Sequence, residues 1–249
     1  MAETIYNNGA FVDATAVGDE PFIYQYIRTD GHRPLLVERP IALADAASWH
    51  IRHCATGLVA ADVSDAVSRL LALNGYPADR SNTVLLRSYG ERRYSLSCCG
   101  TSLYDTLSLR ALRPKAITVE TGGVFAGLST SVAFAESQLL AEYVRTQGAG
   151  AFVAIDAHGR IVSVDGATAF VVSRGRIAVS RLSPSVEAEI VLHTLERAGR
   201  TVEIREITSD ELAKADEVWG VDYRGITSVM ECDSRAYSDI IADATARRL

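Results

Sequence analysis

The sequence predicts a mixed α+β (α/β) protein organised as two domains, and three observations carry that prediction. Two turn dipeptides, Asn8-Gly9 and Asp30-Gly31, sit between short apolar runs, the signal of tight hairpins. Two stretches of helical periodicity then interrupt the strands instead of alternating with them, which favours α+β over a regular parallel sheet. An irregular stretch follows, holding Pro114 and the glycines 122, 123 and 127. It divides the chain into a small N-terminal α/β domain (1–111), a connection (112–128) and a larger C-terminal domain (129–249).

The N-terminal elements read in order. "TIYNNGAFV" is a hairpin, and "PFIYQYIRTDGHRPLLVE" is a second one. Tyr24 and Tyr26 alternate on that strand, so both rings face one side. "IALADAASWHIRHCATGL" is a helix with Leu43, Ala47 and Ile51 on one face. "DVSDAVSRLLALNGY" is a helix capped by Asp62 and stopped at Asn74-Gly75. "NTVLLRSYG" and "RRYSLSCC" are strands joined by a glycine turn.

The C-terminal elements begin with the helix "VAFAESQLLAEYVRTQGAG", which ends at Gly148. Strands "AFVAID", "RIVSV", "AFVVS" and "RIAVS" follow, with Asp165-Gly166 as a tight polar turn. The next helix takes Ser183 as cap and Pro184 as its first residue, and buries Val186, Ile190, Val191 and Leu195. "TVEIREI" is a strand, and "TSDELAKADEV" opens with a capping box, Thr208 and Glu211. Strands through "VWGVDYRGITSVME" lead to an amphipathic helix from Arg235, with Tyr237, Ile240, Ile241 and Ala244 inward.

Composition narrows the function. Of 249 residues, 48% are apolar and 22% charged, and no apolar run reaches the roughly 18–20 residues of a membrane span. The net charge of −6 argues against a nucleic-acid partner. The start of the chain lacks a basic segment followed by an apolar one, so a cytoplasmic location is expected. Cys54, Cys98, Cys99 and Cys232 match no zinc spacing and are expected as free thiols, with Cys98 and Cys99 on opposite faces of a strand. The five histidines offer only His50 and His53 on one helix face, so no metal is expected. Lys115 and Lys214 are the only lysines. Any mechanism that needs an amine has two candidates.

The order of "IYNNGAFV", "YIRTDGHRPLLVERPIALADAA", "GAGAFVAIDAHGRIVSVDGATAFVVSRGRI" and "LERAGRTVEIREITSDELAKADEVW" along nearly the whole chain resembles the class IV aminotransferase family. These are the fold-type IV pyridoxal-phosphate enzymes: branched-chain and D-amino-acid aminotransferases and aminodeoxychorismate lyases. The resemblance implies a small N-terminal α/β domain and a larger β-barrel-like domain with flanking helices. It also implies a homodimer and a small molecule in the interdomain cleft. The cofactor needs a lysine for its Schiff base, a carboxylate at its ring nitrogen, and donors for its phosphate.

Carried over by position, the family pattern meets departures. The lysine position falls on Ser129 and Thr130. The ring-nitrogen glutamate falls on Ser163, and the nearby asparagine on Thr168. The helix-start phosphate turn falls on Ser185, Val186, Glu187 and Ala188. The second phosphate turn falls on Val221, Asp222, Tyr223 and Arg224, and the phosphate arginine of the early helix on Ala42. Glu187 and Asp222 put carboxylates where a dianion would bind. At ~4 Å and an effective dielectric near 20, each such contact costs roughly 4 kcal/mol, above the about 1–3 kcal/mol that a hydrogen bond returns. Two placements are open: into the cleft, or outward as a first-turn acid and a solvated turn.

The residues therefore imply a class IV homologue without the lysine and the ring-nitrogen glutamate. It would be non-catalytic or bind a different small molecule through Ser163, Thr168 and their neighbours, with no pyridoxal phosphate. The alternative is a pyridoxal-phosphate aminotransferase or lyase using Lys115 as a displaced lysine. A third reading is a structural subunit paired with an active relative.

Overall fold

A computed structural model describes residues 3–16, 20–102, 107–122, 125 and 127–249. Gly123, part of the expected connection, lies outside the described residues. The chain divides into two compact units. One comprises Met1–Thr106 with Ser129–Val132, the other Leu107–Leu128 with Ala133–Leu249.

Unit 1 is an antiparallel sheet of β1 (Thr4–Asn7), β2 (Ala10–Asp13), β3 (Ile23–Asp30), β4 (Arg33–Pro34), β5 (Asn82–Gly90) and β6 (Arg93–Thr101), in the order β2-β1-β6-β5-β3-β4. Asn8 and Gly9 both take positive φ, 46° and 100°, and close the first hairpin with Asn7 opposite Ala10. Helices α1 (Glu38–Arg52) and α2 (Ala60–Leu73) cover one face of the sheet. Val63, Val67, Leu70 and Leu71 pack there on Ile27, Val84, Leu86 and Leu96, because alternation along each strand collects apolar residues on that side. Cys98 lies within this layer and Cys99 is exposed, as alternation requires; burial pushes the Cys98 thiol up to about 12. Asp62 is not the cap of α2. The helix begins a turn earlier, after Val59, and Asp62 sits in its first turn. Asn74 does end the helix, donating from Nδ2 to Leu70 O and, at 2.8 Å, to Thr4 O of β1.

Unit 2 holds β7 (Lys115–Glu120), β8 (Ala151–Ile155), β9 (Ile161–Val164), β10 (Thr168–Ser173), β11 (Arg176–Ser180), β12 (Val202–Arg205), β13 (Glu217–Asp222), β14 (Gly225–Ser228), β15 (Glu231–Cys232) and β16 (Arg235–Ala236). They form two five-stranded sheets, β12-β11-β10-β13-β14 and β16-β15-β7-β8-β9. Val153, Ile161 and Val164 of one sheet meet Val171 and Val218 of the other in a shared core. The expected barrel-like closure takes an open form. Among the described residues the sheets are joined by the isolated bridges Val164 to Ala167 and Arg160 to Thr208, by hydrogen bonds such as Ser180 Oγ to Ile161 O at 2.8 Å, and by side-chain packing, with no continuous ladder between them. The chain changes sheets at Asp165-Gly166, a turn too tight for the ladders to run on.

Helices α3 (Ser131–Thr146), α4 (Val186–Arg197) and α5 (Ile240–Ala246) flank these sheets. Val191 and Leu195 of α4 and Ala242 of α5 cover the Phe170–Trp219 stack, whose ring centroids are 4.2 Å apart. Ile190 and Val186 are only half-buried. The cap of α4 is Ser185, not Ser183: Ser185 is extended and its Oγ accepts from Ala188 N at 3.1 Å. The last helix is shorter than its pattern suggests. Asp233 and Ser234 take positive φ and fold 231–236 into a hairpin, so α5 starts only at Ile240, which is exposed, while Tyr237 is buried ahead of it. The capping box at Thr208 forms, with Glu211 accepting from Thr208 N at 3.0 Å.

Candidate functional site

Three segments of unit 2 meet at the β9–β10 corner: the Asp165-Gly166 turn, the start of α4, and the β13–β14 turn. Asp165 and Gly166 have φ of 53° and 78°, the two positive values of a type I′ turn. β10 then pairs with β13 from Thr168 opposite Val221 onward, which sets the β13–β14 turn beside the corner. Glycine is needed at Gly220, where a Cβ would lie 2.9 Å from Val164 O.

The first device at this corner is neutral. Thr168, 2% exposed, donates its hydroxyl to Ser183 O and lies 3.0 Å from Ser185 Oγ. Ser185 Oγ donates to Val221 O at 3.2 Å while capping α4. The hydroxyls are thus spent on the chain's own backbone.

The second device is charged. Arg224 donates from Nε to Asp222 Oδ2 at 2.8 Å, from Nη1 to Asp165 Oδ2 at 3.0 Å and from Nη2 to Asp165 O at 2.8 Å. Its backbone N–H also reaches Asp222 Oδ1 at 2.8 Å. Burial draws the guanidinium down, but Asp222 and then Asp165 outweigh it and hold Arg224 above its ordinary value. Burial raises the Asp165 carboxyl above the usual range against the pull of Arg224, and Asp222's charge adds to the rise; Arg110 also acts on it. Arg110 is positioned by two backbone contacts of the neighbouring segment, Ile226 N to Ser108 O and Arg110 N to Ile226 O, and donates from Nη1 to Thr227 Oγ1 at 3.3 Å.

The sequence-predicted residues separate accordingly. Thr168, Ser185 and Asp222 meet at the corner. Val186 and Tyr223 flank it, half-buried, with Arg224 5.9 Å from the Tyr223 ring. Glu187 is buried in the first turn of α4. Ser163 is buried on β9 opposite Ala154. Ser129 and Thr130 belong to unit 1, where Ser129 O accepts from Tyr24 N at 2.8 Å and Thr130 bridges Ile23. The turn at Asp222 to Arg224 is an ion-paired clamp instead of a solvated turn. Arg224 lies in the predicted second phosphate turn, Asp165 is predicted only as a turn residue, and Arg110 is absent from the predicted site. Asp165-Gly166 signals a turn in sequence, but nothing local links Asp165 to Arg224.

Pyridoxal phosphate would require an amine and a ring-nitrogen acid here. Lys115 is exposed, and its Nζ pairs with Glu231 Oε2 at 3.2 Å, on the β15 side of β7. Ser163 is two strands away on the other side and level with Val119, four residues along. That amounts to about 10 Å across the sheet and about 13 Å along it. Lys214 is exposed near the far end of β10, where Asp216 N reaches Val172 O. Neither lysine meets the corner, no carboxylate stands at Ser163, and Asp222 stands in the second phosphate turn. The residues of the corner do not fit the cofactor. Among the described residues, no cluster of histidine, cysteine or acidic groups is arranged to hold a metal, all four cysteines are free, and no helix is long and apolar enough to cross a membrane.

No family model and no curated protein matches the chain. Solved structures do. A branched-chain aminotransferase from Thermoproteus uzoniensis, solved with norvaline, superposes with a TM-score of 0.80 at 17% identity, covering 99% of this chain and 94% of that one. The fold IV transaminase CpuTA1 from Curtobacterium pusillum gives 0.77 at 16% identity, covering 98% and 97%. A hypothetical aminotransferase from Mycobacterium tuberculosis, in its PLP-bound form, gives 0.75 at 14% identity, covering 98% and 96%. The chain has the fold of the fold-type IV, or class IV, aminotransferases along nearly its whole length.

Proposed function

We propose that this chain is a class IV aminotransferase-fold protein that does not run pyridoxal-phosphate chemistry through a Schiff-base lysine. It is a non-catalytic homologue, or it binds a different small molecule at the β9–β10 corner. The observation that carries this reading is the place of Lys115, paired to Glu231 at 3.2 Å on the β15 side of its sheet. The buried Ser163 in place of a carboxylate supports it. A second copy of the chain is the proposed partner, supported by Leu139 and Tyr143, apolar side chains exposed one turn apart on α3.

The test is a titration of purified protein with pyridoxal phosphate, followed in the visible spectrum before and after borohydride. The expected result is the spectrum of free cofactor alone. A saturable visible band that borohydride bleaches, and that Lys115→Ala removes, would establish the displaced-lysine alternative. Native mass spectrometry of the same preparation reads the oligomeric state, with a dimer expected. Co-purification of a second class IV chain would favour a subunit of a mixed assembly.

A further inference from the structure

Helices α4 and α5 meet over an open groove in unit 2, at the C-terminal end of α4. Leu195 and Ala198 line it from one side, Ile241 and Ala244 from the other, with Arg200 and Arg248 beside them. The space is about 270 Å³, counted out to the solvent. Its origin is in the sequence. Ala198 and Ala244 carry only a methyl where the two helices approach, while Leu195, 2% exposed, and Ile241 belong to the core below. The two threonines that also line the groove spend their hydroxyls within their own helices. Thr194 Oγ1 donates to Ile190 O at 3.0 Å and Thr245 Oγ1 to Ile241 O at 2.6 Å. That leaves the guanidiniums as its side-chain donors.

Arg200 and Arg248 are exposed, and among the described residues neither meets a carboxylate. The acids of the same helix ends are engaged elsewhere: Asp243 pairs with Arg247 at 2.7 Å, and Glu196 lies 3.5 Å from His193. Acids outnumber bases in this chain, 31 to 25. Two guanidiniums left without an acid, beside an apolar floor, therefore complement an anion with an apolar body. The planar fork of a guanidinium matches a carboxylate, and the floor takes an alkyl chain out of water.

We infer that the α4–α5 groove binds a small carboxylate with a short aliphatic chain. Arg200 and Arg248 hold the head, and the chain lies over Leu195, Ala198 and Ile241. Helix α4 has 12 residues, about 18 Å of length, which separates this groove from Ser185 and the β9–β10 corner. The inference does not depend on the proposed function.

The experiment uses the full chain and hexanoate as the probe, followed by backbone amide shifts in nitrogen–proton NMR spectra at constant ionic strength. Hexanoate should give saturable shifts concentrated in residues 194–200 and 240–248. Acetate should bind at least about tenfold more weakly, because each methylene withdrawn from water is worth roughly a factor of four. Hexylammonium, with the same chain and the opposite charge, should not bind there. The Arg200→Gln, Arg248→Gln double variant should lower hexanoate affinity at least about tenfold, the factor that one lost charge-assisted hydrogen bond removes. Ala244→Leu, which fills the groove and keeps both arginines, should weaken binding as well. Should the double variant not fold by circular dichroism, Arg248→Gln alone is read, with a smaller loss expected. Shifts that do not saturate, or equal binding of acetate or hexylammonium, overturn the inference. Hexanoate binding that is unchanged in the folded arginine variant or in Ala244→Leu does the same.

Discussion

The hydroxyl latch of Thr168 and Ser185 and the ion clamp of Asp165, Arg224 and Asp222 hold opposite faces of the same strand, β13. Alternation turns Val221 toward α4 and Asp222 the other way. On the first face the partners are backbone carbonyls and the helix start, so the latch is built from neutral groups, which cost less to desolvate than charges. On the second face two half-buried carboxylates, one from the same turn and one from the Asp165-Gly166 turn, depend on one guanidinium. The first device stabilises locally. The second makes the corner conditional on charge balance.

Removing Arg224 should give the largest effect. Arg224→Met leaves Asp165 and Asp222 facing each other without their shared cation, and about 2–3 kcal/mol should be lost in denaturant unfolding. A fully buried pair would lose about 3–5 kcal/mol, but the Arg224 side chain keeps 32% exposure. A loss no greater than that of a surface arginine, about 0–1 kcal/mol, would erase the contrast between the two devices. Next comes Glu217, a buried acid on the α5 side of β13, which accepts from Ile241 N at 2.8 Å and Ala242 N at 3.1 Å. Glu217→Gln should cost about 2 kcal/mol and raise hydrogen exchange in 240–246 before the rest of unit 2.

The latch itself should be the milder site. Ser185→Ala should cost about 1 kcal/mol, the usual value of a lost helix cap, whereas Ser183→Ala should be close to neutral. Equal costs at the two positions would reassign the cap.

The smallest effect is in acid. Hydrogen bonds from Arg205 to Glu211 and from Arg181 to Glu206 hold both carboxyls below their ordinary 4.5. At Asp156, burial pushes up, but the Arg160 and backbone hydrogen bonds prevail and hold it below 3.8. Groups lowered in the folded state contribute stability above their unfolded values, and that share is lost as pH falls through the folded ones. Asp165 is raised, so its share has the opposite sign: present at low pH and lost as pH rises through its folded value. Melting followed between pH 5 and 2.5 should therefore show Tm falling toward acid. Asp165→Asn should steepen that fall, because it removes a group whose share grows there.

The elements that the sequence discloses are those written in local periodicity and turn chemistry. The hairpin at Asn8-Gly9, the Asp165-Gly166 turn, the helix end at Asn74 and the Thr208–Glu211 capping box all depend on neighbours within a few residues. What local signals miss is decided by distant partners. Ser183 precedes a proline and so satisfies the pattern of a cap, yet Thr168 claims its carbonyl and the helix starts two residues on. The C-terminal stretch has helical periodicity from Arg235, but Cys232 pairs with Arg235 across a tight turn and delays the helix. Arg224 and Asp165 lie 59 residues apart, with no spacing rule to connect them. The residue types that disfavour the cofactor were legible in the sequence. The clamp that stands in the phosphate turn was not.

The most direct test of the central claim is calorimetric titration of the wild-type chain with pyridoxal phosphate. The account predicts no saturable heat at millimolar cofactor, because no lysine meets the corner and Arg224 in the phosphate turn is already paired with Asp165 and Asp222. Saturable binding at micromolar cofactor, weakened by Lys115→Ala, would contradict it.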